Sequence, residues 1–473
     1  MEHKERNIEE LNEKEIYIDA DSAPTENKMG TAPIGRLLAS MAWPAILSMT
    51  ISALYNIVDS VFVAMISQKA LTAVSLVMPI QMLMISVGVG SGVGVNSLIA
   101  RRLGAHKYEE ANKAASTSLR IGFFNFLIFL FVGLFLTKPF MRLYTNDTQI
   151  FEYGVTYMRI ITIFSLFFLT QVLMEKVLQA TGNMIAPMIT ALSGAITNII
   201  LDPILIFGLF GLPKMGVAGA AVATVAGQAV GMTIALIIVI TRDHAVEVKF
   251  KGFKMDWKIV KDIYGVGLPS IIMQAIGSVM LLGYNSILAA SATAVAVLGI
   301  YFKLQSFIFM PVFGLNQGAM PIMGYNFGAH NRERLMKTYK LALLTAIVIM
   351  GMGTLLFHFF PEVLLKMFSA DAEMMEMGVP ALKIISLCFV PAAFGIITST
   401  LFQGTGHGVY SLVGSLIRQL IGILPLAYII YHLAGITASW MSFPLAEIIG
   451  LIYSALMLKY LYKKELRDLS KNL

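Results

Sequence analysis

Carboxylates inside apolar segments are the residues of this sequence best placed to do chemistry. The long apolar runs contain few acidic side chains, and four stand out: Asp59, Glu175, Asp202 and Glu447. A carboxylate at membrane depth costs at least about 2.5–3.5 kcal/mol on insertion scales, so each one needs a compensating partner or a function. The functions typical of such groups are the binding of protons and of cations.

Asp59 and Asp202 form the pair with the strongest case for such a function. Each lies seven residues before the predicted outer end of its apolar run, a depth of about 10 Å in a helix. Asn198 precedes Asp202 by four residues and therefore shares its helical face. Equal depth allows these side chains to meet in a cluster, and cation coupling is the function that the sequence favours for it. A structural alternative stays open, in which these are hydrogen-bonded interior groups and Asp202, before Pro203, marks a helix kink.

Glu175 is a weaker candidate, because it lies near the end of its apolar run beside Lys176. Pairing with the lysine, and extension of both side chains toward the interface, would explain it structurally. Gln171, one helical turn earlier, is the polar residue that would join Glu175 in a proton path or a substrate contact.

Three further charged residues, Lys303, Arg418 and Glu447, lie near mid-depth in the second half of the chain. Their charges compensate one another, so the sequence predicts a buried ion network that fixes packing. Direct contact with a substrate is the alternative.

The elements that position these residues are predicted to be membrane helices. Of 473 residues, 57% are hydrophobic and only 13% charged, with a mean hydropathy of +0.75, whereas globular domains carry about 25% charge. Apolar stretches of about 20 residues indicate an all-α integral membrane protein with about twelve spans. The predicted spans are 40–66, 71–99, 115–137, 154–178, 186–209, 216–241, 264–290, 293–325, 338–360, 378–402, 409–431 and 436–459.

The chain repeats itself at an offset of 224 residues. This offset places Gly104-Ala105-His106 on Gly328-Ala329-His330, and Gln179-x-Thr181-Gly182 on Gln403-x-Thr405-Gly406. Each half holds six spans, an even number, so the sequence predicts two six-helix lobes related by a parallel repeat. Asp59, Asn198 and Asp202 then correspond to Gly283, Gly422 and Leu426, so the acidic cluster has no counterpart in the second lobe.

Lys and Arg are concentrated in alternate loops, which predicts that both termini are cytoplasmic. The predicted organisation has five parts in chain order: a cytoplasmic tail at 1–36, a first lobe at 37–241, a cytoplasmic inter-lobe loop at 242–261, a second lobe at 262–461 and a cytoplasmic tail at 462–473.

Several classes of function lack their motifs. No cysteine or histidine pair has metal-ligand spacing, so no metal is expected beyond Na⁺ at Asp59, Asn198 and Asp202. The chain has no G-x-x-x-x-G-K-[ST] motif for ATP binding, so the expected energy source is an ion gradient. No cofactor is predicted besides the coupling ion. The glycine-rich run around Gly90 and Gly94 lies inside a span and predicts close helix packing instead. The basic residues are spread over short loops, which argues against nucleic acid.

Several motifs together resemble the multidrug and toxic compound extrusion (MATE) family, most closely its bacterial MepA-like branch. They are Ala42-Trp43-Pro44, Asn56-Ile57-Val58-Asp59, the paired Gly-Ala-His loops and the paired Gln-x-Thr-Gly motifs. The resemblance extends from about Gly35 to Leu461. By resemblance, the first-helix Asp of the family falls on Asp59, and its fifth-helix Asn and Asp fall on Asn198 and Asp202.

The resemblance implies a secondary active transporter of the bacterial plasma membrane. It would export cationic amphiphilic drugs or dyes in exchange for H⁺ or Na⁺ by alternating access, as a monomer in the lipid bilayer and without nucleic acid. A flippase for lipid-linked sugars is an alternative, although its pyrophosphate substrate would need a basic cavity. An intramembrane enzyme is a second alternative, but G-x-S-x-G and H-E-x-x-H motifs are lacking. The expectation is that the chain is not an enzyme.

Overall fold

The computed structural model describes residues 27–241, 245–249 and 256–469, and within them every regular element is a helix. The remainder of the predicted N-terminal tail, parts of the inter-lobe loop and the last four residues lie outside the described residues. The α-helices are α1 Lys28–Thr31, α2 Ile34–Ile66, α3 Gln68–Gly104, α4 Tyr108–Phe131, α5 Thr137–Tyr144, α6 Thr148–Ile163, α7 Ser165–Ala180, α8 Ile185–Phe207, α9 Val217–Thr241, α10 Trp257–Leu288, α11 Ala292–Gly328, α12 Arg332–Phe359, α13 Pro361–Lys366, α14 Ala372–Ser386, α15 Phe389–Gly404, α16 Gly408–Leu416, α17 Leu424–Ser439 and α18 Ser442–Leu461.

Shorter elements interrupt or extend some of these helices. A 3₁₀ turn covers Leu209–Gly211. Three π-helical segments cover Val132–Leu136, Ile417–Ile423 and Tyr462–Leu466. The first two join α4 to α5 and α16 to α17, so each of those pairs is one interrupted span.

Ten of the described helical segments are long and apolar enough to cross a bilayer. Two further spans are pairs of shorter helices, α6 with α7 and α14 with α15, and each pair bends by 46° at its junction. Counting each bent pair once gives twelve spans, so the predicted all-α membrane fold is confirmed. The fourth span of each lobe differs from a single straight helix, because its two segments are separated at Phe164 and at Leu387–Cys388.

The internal repeat is visible in the helix boundaries. An offset of 224 residues carries α3 onto α11 and α7 onto α15 with both ends matched. The first lobe therefore consists of α2–α9 and the second of α10–α18, with six spans each. An equal number of crossings in the same order gives both lobes the same direction through the membrane, the parallel repeat predicted from sequence.

Glycines let the two lobes approach each other symmetrically. A Cβ on Gly104 would clash with the carbonyl oxygen of Tyr325, and one on Gly328 would clash with that of Arg101. These two contacts are related by the repeat. The predicted close packing at Gly90 and Gly94 is confirmed, because these glycines pack against Ile271 and Ile263 of α10. The repeat-related Gly314 and Gly318 pack in the same way against Ile46 and Ala42 of α2.

The described parts of the predicted N-terminal tail and of the inter-lobe loop pack against the lobes. Helix α2 begins at Ile34, three residues before the predicted start of the first lobe. Arg334 Nη2 donates to the carbonyl oxygens of Met29 and Ala32 at 3.1 and 2.7 Å, which holds α1 against the second lobe. In the inter-lobe loop, the Glu247 backbone N–H donates to Asn112 Oδ1 at 2.8 Å.

Candidate functional site

The centre of the site is the contact between Asp59 on α2 and Asp202 on α8. Their carboxyl groups lie within hydrogen-bonding reach of each other. Asp202 is 0% exposed, and Oδ1 of each carboxyl group is buried without a hydrogen-bond donor among the described residues. Two carboxylates in contact are stable only when they share a proton or hold a cation, because like charges repel strongly at short range in a low dielectric. The arrangement is therefore chemically suited to take up H⁺ or a hard cation.

Asn198 and Thr224 extend this pair on the side of α9. In the amide orientation that satisfies both groups, Asn198 Nδ2 donates to Asp202 Oδ2 at 3.3 Å and Oδ1 accepts from the Thr224 backbone N–H at 3.1 Å. Asn198 is 2% exposed. Helix α9 comes this close because Gly227 has no side chain. A Cβ there would lie 2.6 Å from the carbonyl oxygen of Gly194 on α8. The predicted spacing of Asn198 and Asp202 thus places both on one face of α8.

Helix α8 runs without interruption through Pro203 and ends at Phe207, and its C-cap Gly208 has a φ of 74°, in the left-handed region that favours glycine. Asp202 lies within the regular helix, and its side chain faces α2. A kink role for Asp202 stays a prediction, because a helix can bend at a proline without a break in its helical assignment.

A cavity of about 190 Å³ connects the surroundings of Asn198 with Glu175 on α7. Its polar lining comes from several spans of the first lobe: Ser52, Tyr55, Gln171, Glu175, Asn198, Thr224 and Gln228. Glu175 Oε1 accepts hydrogen bonds from Gln171 Nε2 at 2.9 Å and from Thr190 Oγ1 at 2.7 Å. The two residues predicted as a proton path or substrate contact, Gln171 and Glu175, thus line the same cavity as Asn198.

Glu175 does not pair with Lys176, which corrects the structural explanation offered from sequence. The Lys176 ammonium instead donates to Gln179 Oε1 at 2.8 Å and to Gln317 Oε1 at 2.9 Å. Gln317 belongs to α11, so this buried lysine crosses the lobe interface. Consecutive residues on a helix point in directions about 100° apart, which explains why Glu175 faces the cavity and Lys176 faces the other lobe.

The second lobe has no acidic pair at the equivalent place. The counterpart of Asp59 is Gly283, where a Cβ would lie 2.8 Å from the Leu424 side chain. Leu424 and its apolar neighbours fill this region of the second lobe. The absence of a second acidic cluster, expected from the repeat, is thus explained by apolar packing.

The predicted ion network of the second lobe is smaller than expected. Arg418 Nη1 donates to Glu447 Oε1 at 3.3 Å, and the side chains are 27% and 8% exposed. Lys303 is not part of this pair: it is exposed and lies over the Phe368 ring, 5.9 Å from the centroid. The prediction of Lys303 as a buried charge is wrong, because its side chain is exposed and contacts the Phe368 ring instead of the Arg418–Glu447 pair.

Sequence reasoning missed Thr224, Gln228, Tyr55 and Thr190 as neighbours of the candidate site. Thr224 and Gln228 are spaced by four residues inside an otherwise apolar span, and Tyr55 lies one turn before Asp59. Those spacings are a usable signal for a shared face. Thr190 has no comparable signal, because a threonine commonly hydrogen-bonds within its own helix, as Thr190 also does to the Pro187 carbonyl oxygen.

Comparison with known proteins identifies the family. The MatE family model matches the chain twice, at residues 44–204 and 269–429, once in each lobe. The multidrug export protein MepA of Staphylococcus saprophyticus is 25% identical over 425 residues, covering 89% of this chain and 93% of that protein. MepA of Staphylococcus haemolyticus is 26% identical and covers 88% and 91%.

A solved structure gives the same answer for the fold. An outward-facing MATE family multidrug resistance transporter of the MOP superfamily superposes with a TM-score of 0.85 at 25% sequence identity, covering 93% of this chain and 99% of that chain. Two family matches related by the internal repeat, together with full-length similarity, establish the assignment. The chain is a membrane transporter of the MatE family with similarity to MepA, not an enzyme.

Proposed function

We propose that this protein is an antiporter that exports cationic amphiphilic compounds in exchange for H⁺ or Na⁺. The contact between Asp59 and Asp202 is the observation that carries this proposal, because two adjacent carboxyl groups, each with one buried and unpartnered oxygen, are suited to bind a proton or a hard cation. Asn198 contributes an amide donor that orients Asp202. The names of the MepA relatives support multidrug export as the physiological task.

The exchange follows from charge. With a proton or Na⁺ bound, the Asp59–Asp202 pair loses negative charge, and a cationic substrate leaves a cavity that no longer attracts it. With the coupling ion released, the pair regains its charge and attracts the next cation. Substrate and coupling ion therefore bind alternately, and each lowers the affinity for the other, as linkage requires.

Glu175 serves the transit of the coupling ion in this proposal. It shares the cavity with Asn198, and Gln171 and Thr190 donate to its carboxylate. A carboxyl group placed there offers a second proton acceptor between the Asp59–Asp202 pair and the side of the membrane that carries the loop between α7 and α8. A substrate amine is the alternative partner for the same carboxylate.

The orientation and setting are also proposals. The Lys and Arg distribution supports cytoplasmic termini, and the Staphylococcus relatives support a bacterial plasma membrane. We also propose a monomer as the transport unit, because the residues around Asn198 and Glu175 all belong to the first lobe of one chain.

Binding of a fluorescent lipophilic cation in detergent tests the exchange. For H⁺ coupling, affinity falls as the pH is lowered at constant ionic strength, because protonation removes negative charge from the site, and Asp59→Asn flattens this dependence. For Na⁺ coupling, affinity falls when Na⁺ replaces a large organic cation at constant pH. Affinity that is indifferent to both ions would contradict exchange at these residues.

A further inference from the structure

The second lobe contains a cavity related by the repeat to the one beside Glu175. Its volume is about 270 Å³, compared with about 190 Å³ in the first lobe. Six of its lining positions are equivalent to lining positions of the first-lobe cavity: Gly395, Ile396, Ser399, Ser415, Arg418 and Gln419 correspond to Gln171, Val172, Glu175, Ala191, Gly194 and Ala195. The two cavities therefore occupy the same place in the two copies of the fold.

The two cavities differ in their charged residues at equivalent positions. Where the first lobe has Glu175 the second has Ser399, and where the first lobe has Gly194 the second has Arg418. The second cavity thus lacks a carboxylate at the position equivalent to Glu175. It has the guanidinium of Arg418 where the first lobe has a glycine without a side chain. Gly194 permits close contact of α8 and α9, whereas Arg418 occupies that space in the second lobe.

The backbone is adapted to hold Arg418 in this position. Residues Ile417–Ile423 form a π-helical segment, whereas the equivalent part of α8 is a regular α-helix. A π-helical turn widens the helix and reorients its side chains, and such turns are frequent at functional sites. Arg418 and Gln419 project from this segment into the cavity.

Arg418 is only partly satisfied by the protein. Its one hydrogen bond to a described residue runs from Nη1 to Glu447 Oε1 at 3.3 Å, so Nε and Nη2 keep their donor capacity. Its side chain is 27% exposed, into a cavity that also presents the amides of Gln274 and Asn316. Neither amide has a hydrogen-bond partner among the described residues. A guanidinium with open donors, surrounded by amides and hydroxyls, matches a planar carboxylate.

We propose that the second-lobe cavity binds the carboxylate group of amphiphilic compounds through Arg418, with Glu447 holding the guanidinium in position. This inference rests on the proposed export function and adds a substrate feature to it: besides a cationic group, which the first lobe attracts, a substrate gains affinity from a carboxylate. Glu447 is a positioning residue here, since it contacts Arg418 rather than the ligand.

A matched pair of dyes tests this proposal. One is a fluorescent xanthylium dye with a free carboxylate, and the other is the methyl ester of the same dye, which differs only in lacking the anionic group. Binding is measured by fluorescence anisotropy in detergent for the wild type, for the double variant Arg418→Gln/Glu447→Gln and for Arg418→Lys. The double variant removes both charges together and therefore leaves no unpaired buried ion.

The double variant is expected to lose at least about ten-fold in affinity for the free-carboxylate dye, the value of a hydrogen bond to a charged group, while its affinity for the ester changes by less than about two-fold. Arg418→Lys keeps the charge but not the planar fork and should lie between the two. Equal weakening of both dyes, or no weakening of either, overturns the proposal.

The same dyes separate this inference from the proposed function. If the wild type moves the ester in an ion gradient but the variants bind both dyes alike, export stands and the carboxylate site fails. If the wild type moves neither dye in either ion gradient while binding retains its dependence on Arg418, the site stands and the proposed export function fails.

Discussion

The two lobes have the same helices in the same order but different polar chemistry. In the first lobe, Asp59 of the first span meets Asp202 of the fifth. In the second lobe, the equivalent place holds Gly283 packed on Leu424, and the charged pair is Arg418 with Glu447 instead. Duplication thus preserved the elements that determine packing, while the side chains at the interior positions diverged. The comparison predicts that ion coupling resides in one lobe only.

The largest expected effect is that of Asp59→Asn on ion-driven transport. An amide cannot cycle a proton and cannot neutralise a bound cation, so export of a lipophilic cation from proteoliposomes should fall to the level of empty vesicles. The matched control is Asp371→Asn, which changes an exposed carboxylate that caps α14 through the Met374 N–H. Wild-type transport by the Asp59 variant at equal protein content would place coupling elsewhere.

Substitutions in the two lobes sharpen the comparison further. Asn198→Ala and Asp202→Asn should reduce ion-driven transport more than Glu447→Gln, because only the first two alter the carboxyl pair. We expect losses of at least about ten-fold for Asp202→Asn, the typical value of a lost hydrogen bond to a charged group, and less for Asn198→Ala. Initial rates at matched expression provide the measurement. A larger loss of coupling for Glu447→Gln would move the coupling site to the second lobe.

The repeat-related glycines at the lobe interface provide a test on stability. Gly104→Ala and Gly328→Ala each introduce a Cβ against a carbonyl oxygen of the other lobe, so each should destabilise this conformation by about 1–3 kcal/mol. The melting temperature in detergent should fall for both variants by similar amounts. Gly351→Ala on α12 is the control, because no atom lies within 4 Å of its Cβ position and alanine favours the helix. A fall for only one of the two would contradict a symmetric interface.

The smallest effect concerns the caps of the bent spans. Lys69 donates to Asp147 Oδ2 at 2.7 Å, and this hydrogen bond, with the one from the Ile150 backbone N–H, lowers the pKa of Asp147 below its usual value. The ionised form therefore stabilises the folded protein above the pKa of an unfolded aspartate, and this contribution is lost as pH falls through the lower folded value.

Asp147→Asn should slightly reduce the drop in melting temperature between neutral and acidic pH. Its counterpart Asp371 also caps a helix, but at the position of Lys69 the second lobe has Thr293, which donates to Glu373 at 2.7 Å. Lys69→Met should reproduce part of the effect of Asp147→Asn, because the Ile150 backbone N–H still donates to Asp147, whereas Thr293→Val should not. Identical acid sensitivity of Asp147→Asn and the wild type would show that this exposed ion pair adds nothing measurable to stability. Many surface ion pairs behave in this way.

The sequence by itself determined the membrane class, the number of spans and the duplication. Apolar runs of about 20 residues have one stable outcome in a bilayer, because a helix satisfies its own backbone hydrogen bonds. It also predicted Asp59, Asn198 and Asp202 as a candidate cluster, since charged and polar groups are rare enough at membrane depth for their position alone to be informative.

Tertiary structure decided which side chains meet. The partner of Lys176 is Gln317 of the other lobe rather than the adjacent Glu175, and Lys303 is exposed although its predicted depth resembles that of Arg418. Thr224 becomes a neighbour of Asn198 only because Gly194 and Gly227 let α8 and α9 come close. Hydropathy and spacing give depth along one helix, but the direction of a side chain relative to other helices depends on how all the spans pack.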